Sequence, residues 1–417
     1  MLLEFSCANH KSINSQVLFS CLAGADKYKD EITYPFEGHF ILPSAVIYGS
    51  NGSGKSNFVD SIRFVKSLVM NSVNYQIGQG ISQVPHKTAG FSKDSTYRIQ
   101  FVTNNIRYSY GFSITNMLIV DEYLYYFPNG KQTKIFEREG ISFTTGRSFR
   151  NKLSRCKDVL KSNRLLLSCA ANFSSVPEIE KAYLFFVNEL VIFSNDLFDD
   201  WMFYSVNQLD KNIQIKNSVI KLLQNLGVSI KNINIHIDEK KVDITDIPPF
   251  LSDEFKNKLL QGSFNAVSAE MVYEHFSTDL FAEESAGIKR LVGFLCPFLD
   301  IILNGKVLIC DELESSLHEA LVYQLLKLFF NNNTESGIFP QLIFTTHDTS
   351  LLNLDLFRRD QIWFTEMRGE DRSTDLYSLA EIKSVRKDEN YEKGYISGKY
   401  GAIPMLNHSF FELISKE

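Results

Sequence analysis

The stretch Gly49-Ser50-Asn51-Gly52-Ser53-Gly54-Lys55-Ser56 constrains this chain more than any other, because it fits G-x-x-x-x-G-K-[ST], the pattern of a phosphate-binding loop. Its glycines let the backbone wrap closely enough to aim N–H groups at phosphate oxygens. In such a loop Lys55 reaches the β- and γ-phosphates and Ser56 ligates Mg²⁺. The flanks agree. Ala45-Val46-Ile47-Tyr48 is an apolar run fit for a buried strand, and Phe58, Ile62 and Val65 fall at helical spacing after Asn57. Strand, loop and helix in that order set a phosphate against a helix N-terminus, which favours an anion.

Two further strand ends supply chemistry. Val307-Leu308-Ile309-Cys310 is an apolar run that closes on Asp311-Glu312. An Asp there can hold Mg²⁺, and the next carboxylate can orient and deprotonate an attacking water. Alone, two acids after an apolar run often mark only a strand meeting solvent. Gln341-Leu342-Ile343-Phe344-Thr345-Thr346 is a third β-like run, closed by His347-Asp348. A His at that place can bond a γ-phosphate or the attacking water.

The order of these pieces resembles the ABC-type ATPase head of SMC, RecF and OLD-type proteins. Those heads carry GxNGxGKSN, which here reads Gly49 through Asn57, then an acidic pair, here Asp311-Glu312, then a switch His, here His347. They also carry a signature segment before the acidic strand, and Glu283-Glu284-Ser285-Ala286-Gly287-Ile288-Lys289-Arg290-Leu291 occupies that place. It departs from LSGGQ and looks like the ESxGTKRL form of a bacterial group of AAA-type ATP-binding proteins, with Ile288 where Thr is usual. Asp311 to His318, Arg359 to Phe364, Gly394 to Pro404 and the opening Asn9-His10-Lys11-Ser12-Ile13 resemble the same group.

The resemblance implies an α/β fold: an ABC-type P-loop head with a mixed sheet, an antiparallel β lobe and a mainly helical insertion between its halves. It implies ATP and Mg²⁺ as cofactors, with Gly49, Asn51, Gly52, Ser53, Gly54, Lys55, Ser56 and Asn57 on the nucleotide. Ser56 and Asp311 would sit on the metal, and Lys55, Glu312 and His347 in catalysis. It implies a homodimer or higher homo-oligomer in which Ser285 and Gly287 of one chain meet the ATP of another. Members of the group often stand in anti-phage defence modules beside a separately encoded nuclease or toxin, which would make the chain an ATP-driven sensor or scaffold for that effector. A RecF-like ATPase that binds DNA directly is the alternative, and contact with DNA or RNA stays open.

Composition bounds the rest. The chain has 417 residues, room for about two to three domains. Net charge is −6, so no global field draws it to nucleic acid or anionic lipid. No run approaches the roughly 20 apolar residues that span a bilayer, so no membrane partner is expected. The start, Met1-Leu2-Leu3-Glu4-Phe5-Ser6, lacks the basic and long apolar regions of a signal peptide. Six scattered cysteines without a CxxC pair read as reduced, mostly buried thiols of a cytoplasmic protein. The many aromatic side chains, Phe 34 and Tyr 18, are expected to fill the core.

Organisation is expected in three parts: 1–150, the N-terminal half with the loop and the β lobe; 151–270, the helical insertion; and 271–417, the C-terminal half with signature, acidic strand and switch His. Tyr97–Val102 with Ile106–Phe112, and Glu122–Phe127 with Lys134–Arg138, read as hairpins. Ile233–Asp238 and Lys241–Ile244 read as a hairpin or an edge pair joined by Glu239-Lys240. Helical spacing marks 163–171, 179–187 and 219–226, the last closed by Gly227. No heptads persist, so SMC-type arms are not expected.

Four features keep two readings each. Gln83 is a Mg²⁺ contact or a surface loop glutamine. Lys11 touches phosphate or base, or is a solvated turn lysine. His318 supports a subunit interface or only starts a helix. In the segment 386–401, Tyr395 and Tyr400 offer a stacking surface for nucleic acid, or the glycines there permit close packing. No nuclease motif follows residue 405.

Overall fold

A computed structural model describes residues 1–25, 32–241, 263–315, 319–330, 339–353, 356–386 and 389–403. His318 and Pro404 therefore lie outside the described residues, as do 242–244 of the expected second strand pair. From the N-terminus come strands β1 (Leu2–Ala8), β2 (Val17–Ser20), β3 (Tyr34–Phe36), β4 (His39–Ile41) and β5 (Ser44–Tyr48), then helix α1 (Lys55–Asn71). Next are β6 (Ser95–Thr103), β7 (Ile106–Ile114), β8 (Ile119–Phe127), β9 (Thr133–Glu139) and β10 (Ser142–Thr145). Helices α2 (Cys156–Val159), α3 (Leu166–Phe173) and α4 (Pro177–Leu184) lead to β11 (Leu190–Phe193). Helices α5 (Phe198–Lys211) and α6 (Ile213–Asn225) precede β12 (Asn232–Lys241), β13 (Ser263–Val272), β14 (Ser277–Asp279) and α7 (Ala286–Asn304). The chain continues through β15 (Val307–Cys310), α8 (Glu319–Phe330), β16 (Gln341–Thr345), β17 (Ile362–Arg368), β18 (Ser373–Ser378) and α9 (Tyr391–Ile396).

Two compact units result. The first takes in Met1–Asn195, Ile301–Ser315 and Val322–Glu417, and the second Asp196–Asp300 with Ser316–Leu321. In the first unit a six-stranded sheet has the order β11-β15-β16-β5-β17-β18. Its first five strands are parallel, and β18 returns antiparallel on β17. Strands such as β5, buried on both faces, are continuous apolar runs for that reason. A seven-stranded antiparallel sheet, β10-β9-β8-β7-β6-β1-β2, forms the β lobe, and both expected hairpins are in it.

The core of this unit lies among the sheets, α1 and α3. Helix α1 turns Phe58, Ile62, Val65 and Leu68 inward, one residue per turn or so, as an amphipathic helix must. Aromatic rings fill the space: Phe101 stacks on Phe185 at 4.1 Å, and Phe58 meets Phe5 edge-on at 5.8 Å. The six cysteines are buried and outside any disulfide. Burial pushes the Cys156 thiol up to about 11 and that of Cys7 to about 12, so they are inert apolar filling at neutral pH.

The first unit runs on to Asn195, past the expected boundary at 150. Two features hold 151–195 there. Leu165, Leu166 and Leu167 are wholly buried in its core, and β11 pairs in parallel with β15. In the second unit, the expected turn at Glu239-Lys240 does not form. Strand β12 runs through it, pairing from Asn232↔Val272 to Lys241↔Ser263. Neither residue has the backbone freedom of Gly or Asn that a tight hairpin turn needs, so the extended backbone continues. Helix α6 does end near Gly227, whose φ of 88° is the left-handed conformation glycine tolerates.

The tail tyrosines are packing residues, and the nucleic-acid stacking surface is not formed by them. Tyr395 and Tyr400 are 7% and 3% exposed. The Tyr395 ring stacks on Phe364 at 5.5 Å and its hydroxyl donates to the Ala402 carbonyl at 3.2 Å. A Cβ on Gly394 would lie 2.2 Å from the Tyr400 hydroxyl, so the glycine is there for close approach. Among the described residues no helix is long and apolar enough to cross a membrane.

Candidate phosphate-binding and acidic site

Parallel register brings three distant segments to one edge of the six-stranded sheet. Cys310 pairs with Phe344, and Phe344 with Val46. The phosphate loop after β5, the acidic turn after β15 and His347 after β16 therefore leave neighbouring strands at the same level. Ligands of open parallel sheets bind outside such carboxyl ends.

The loop is formed by backbone that only glycine accepts. Gly52 and Gly54 have φ of 76° and 107°, and Gly54 caps α1. Any Cβ on Gly49 would lie 2.4 Å from both Ser53 Oγ and Thr365 Oγ1, and one on Gly54 would lie 2.1 Å from Thr374 Oγ1. Lys55 is buried, and its ammonium donates to the carbonyls of Gly49 at 2.7 Å and Ser50 at 3.3 Å. Burial lowers its pKa to about 8, while Asp311, Glu312 and Glu314 pull the other way. Ser56 is exposed in the first helical turn, and Asn51 and Gly52 are exposed at the tip.

A hydroxyl relay braces the loop from beneath. The Asn57 amide donates to Ser12 Oγ at 2.7 Å, Ser12 meets Thr374 Oγ1 at 2.7 Å, and Thr374 donates to the Ser53 carbonyl at 3.0 Å. Thr374 has one hydrogen, given to Ser53, so Ser12 is the donor between them. Ser53 Oγ meets Thr365 Oγ1 at 2.7 Å. Replacing Thr374 by Val keeps the shape and removes both bonds, leaving the buried Ser53 carbonyl without its donor. The affinity for ATP is expected to fall roughly tenfold, checked by titration with a fluorescent analogue. Ser12→Ala, which breaks one bond of the relay, should cost less.

The acidic turn is tied to β16. Thr345, wholly buried, donates its hydroxyl to Asp311 Oδ1 at 2.6 Å and accepts from the Glu312 N–H at 2.8 Å. Glu312 has φ of 54°, the left-handed region that a residue with a Cβ enters only at a cost of about 1–2 kcal/mol. The Asn195 amide donates to Glu312 Oε2 at 3.2 Å. His347 is exposed at the sheet edge, and its N–H donates to Glu314 Oε1 at 2.7 Å. Desolvation and the Lys55 charge lower the imidazole pKa, against the opposing pull of Glu314, Glu312 and Asp311. A neutral ring that can donate or accept is the result near pH 7.

Ser285 caps α7, its Oγ accepting from the Ile288 N–H at 3.3 Å, and both it and Gly287 belong to the second unit. A Cβ on Gly287 would meet nothing nearer than Ser285 Oγ at 4.0 Å. Packing among the described residues thus gives no reason for a glycine there, although glycine weakens a helix.

Gln83 is 8% exposed and is no surface glutamine. Its Nε2 donates to Ser95 Oγ at 2.7 Å, its Oε1 has no partner among the described residues, and no bond there joins it to Ser56 or Asp311. Lys11 is neither free nor on the loop: its ammonium is 2.6 Å from Asp60 Oδ2 on α1. Burial pushes the Asp60 carboxyl up, but His10, Lys11 and Arg63 together hold it well below the usual range. Thr345, Thr374, Glu314 and Asn195 went unread in the sequence. Only Glu314, a third acid in Asp311-Glu312-Leu313-Glu314, had a local signal.

Among the described residues no three His, Cys, Asp or Glu side chains form a metal cage. A Mg²⁺ ion would rest on Ser56, Asp311 and the oxygens of a nucleotide, the usual manner for this ion. The glycine cradle, the buried lysine and the oriented Asp311 fit a metal-bound triphosphate.

Such a strand–loop–helix, with an acidic turn and a His-bearing strand beside it, defines a P-loop nucleotide-binding protein. The chain belongs to the family described as "AAA domain, putative AbiEii toxin, Type IV TA system", whose model matches residues 44–353, about three quarters of its length. Among solved structures it is similar to an Smc head bound to the C-winged helix domain of ScpA, at 14% identity and a TM-score of 0.44, covering 90% of this chain and 97% of that one. It is also similar to the SMC head domain from Thermotoga maritima, at 14% identity and a TM-score of 0.40, covering 90% and 98%. A third likeness is an Smc head with an extended coiled coil bound to the C-terminal domain of ScpA, from Pyrococcus furiosus, at 12% identity and a TM-score of 0.35, covering 95% and 98%. A comparison with curated proteins gives no match.

Proposed function

We propose that this protein binds and hydrolyses ATP, closes around it as a head-to-tail dimer, and thereby controls a separately encoded nuclease or toxin in cytoplasmic anti-phage defence. The observation that carries the hydrolytic reading is the shared edge, where Thr345 fixes Asp311 and Glu312 beside the strand that bears the phosphate loop. Loop N–H groups and Lys55 hold the phosphates. Lys55 exchanges its bonds to Gly49 and Ser50 for phosphate oxygens. Ser56 and Asp311 hold Mg²⁺, which supplies charge neutralisation at those oxygens. Glu312 orients and deprotonates the water, and His347 bonds the γ-phosphate. The acceleration is charge stabilisation and positioning. The family description, with its toxin and toxin–antitoxin terms, supports the effector reading.

Gly287 carries the dimer. A helix N-terminus capped by Ser285 suits an anion, and the open space over Gly287 suits close approach by a second chain's nucleotide. Wild-type protein is expected to double its mass with ATP and Mg²⁺ in light scattering. The Cβ of Gly287→Asp meets nothing nearer than 4.0 Å among the described residues, and an acid in the first helical turn favours the helix. It should therefore fold normally, yet weaken the ATP-dependent dimer by roughly tenfold or more, since tenfold is only about 1.4 kcal/mol. A mass independent of ATP in the wild type would sink the sandwich. Phosphate release stimulated by the products of neighbouring genes supports the effector; stimulation by DNA alone transfers the reading to a RecF-like ATPase.

A further inference from the structure

We propose that Glu314 is the positioning residue for His347, holding its backbone so that the acidic turn and the γ-phosphate sensor are set as one piece. The inference deepens the hydrolytic reading above and rests on it. Strands β15 and β16 stop pairing at Cys310↔Phe344, yet the two segments stay joined beyond that point. Thr345 Oγ1 donates to Asp311, Glu312 N–H donates to Thr345 Oγ1, and Leu313 N–H donates to the Thr345 carbonyl at 3.2 Å. Glu314 completes the series by accepting the His347 N–H at 2.7 Å. Each residue from Asp311 to Glu314 thus has one bond to the segment 345–347.

The chemistry of the last bond differs from the others. It is charge-assisted and made by a side chain, so it holds His347 after the ladder geometry has ended. The carboxylate's other oxygen, Oε2, is buried with no partner among the described residues. Among the described residues no second bond anchors the carboxylate, and the His347 N–H is the partner that orients it. Lys55 and His347 both feel the Glu314 charge, which places the carboxylate at the phosphate edge rather than on a remote turn.

The test compares Glu314→Gln and Glu314→Ala in the full chain. Gln keeps an acceptor at the Oε1 position; Ala does not. With ATP and Mg²⁺, Ala is expected to lower kcat roughly 10- to 100-fold with little change in KM, and Gln to restore most of it. In nucleotide-free protein labelled with ¹⁵N-histidine, the His347 amide resonance, assigned by its loss in His347→Ala, should move upfield in Ala and much less in Gln. That resonance reports the clamp even if wild-type protein releases no phosphate, an outcome that would instead remove the hydrolytic reading. The positioning role is overturned if Ala leaves the resonance in place, if the resonance moves while kcat does not, or if Gln is as damaging as Ala.

Discussion

Glu312→Gln should abolish steady-state phosphate release, by roughly 10²- to 10⁴-fold, the range a positioned general base contributes. ATP affinity should be nearly unchanged, and the ATP-bound assembly should persist instead of falling apart. The geometry separates these effects. Glu312 N–H bonds to Thr345 Oγ1 and its Oε2 accepts from Asn195, and neither partner is part of the phosphate cradle. Gln is isosteric and can still accept from Asn195, so the turn keeps its shape. What disappears is the basicity needed to take a proton from water. The left-handed backbone at Glu312 supports the assignment, since residues kept in costly conformations cluster at functional sites. Phosphate release and mass by light scattering, followed together with ATP and Mg²⁺, decide it. Unchanged turnover would mean that Glu312 is not the base. Lost turnover without a lengthened assembly lifetime would mean that hydrolysis does not time dissociation.

The parts of the site that were legible are those written in local sequence. The phosphate loop, the acids after β15 and His347 after β16 each follow an apolar run, and strand ends are where parallel sheets present chemistry. The supporting residues have no such signature. Thr374 acts through Ser53, Ser12 and Gly54, and Asn195 through Glu312, partners that lie far apart in the chain and meet only through sheet order. A threonine in a strand is ordinary until a register sets it under a glycine. The first compact unit extends past residue 150 for a related reason. Helical spacing in 163–187 marks an insertion when read alone, but β11, only four residues long, pairs with β15 and draws the segment into the first unit. Tyr395 and Tyr400 show the converse: glycines and lysines beside tyrosines resemble a nucleic-acid surface in sequence, while the folded chain uses the rings as core.

Arg138→Met should destabilise the first unit by about 3–5 kcal/mol, the usual consequence of breaking a buried pair from one side. Arg138 and Glu122 are both fully buried, 3.1 Å apart. Burial pushes the Glu122 carboxyl up, and Arg138, the Leu167 and Leu166 N–H groups and the Tyr110 hydroxyl pull it back. All four partners are donors, as a carboxylate requires. Two of them are the first N–H groups of α3, which has no side-chain cap of its own, so Glu122 serves as that cap from the β lobe. Arg138 in turn binds the carbonyls of Gly140, Lys161 and Arg164. Removing it therefore leaves a buried charge and takes a donor from each of three carbonyls, of which that of Lys161 keeps the Arg164 N–H. Helix α3 then braces the far end of the phosphate-loop helix, through Leu165 N–H to Ser72 Oγ at 3.1 Å and Val73 N–H to Ser168 Oγ at 3.2 Å. The loss should appear as a lower midpoint in urea, with ATP affinity falling only as the folded fraction does. Adding Glu122→Leu removes the orphaned charge, so the double variant should recover part of the loss. Recovery should stay incomplete, because the first α3 N–H groups lose their acceptor and the Gly140 and Arg164 carbonyls lose the Arg138 donor, while the Lys161 carbonyl keeps the Arg164 N–H at 3.2 Å. A double variant as stable as wild type would show that the pair specifies geometry without contributing net stability, and a loss below about 1 kcal/mol in Arg138→Met would show that water reaches the site.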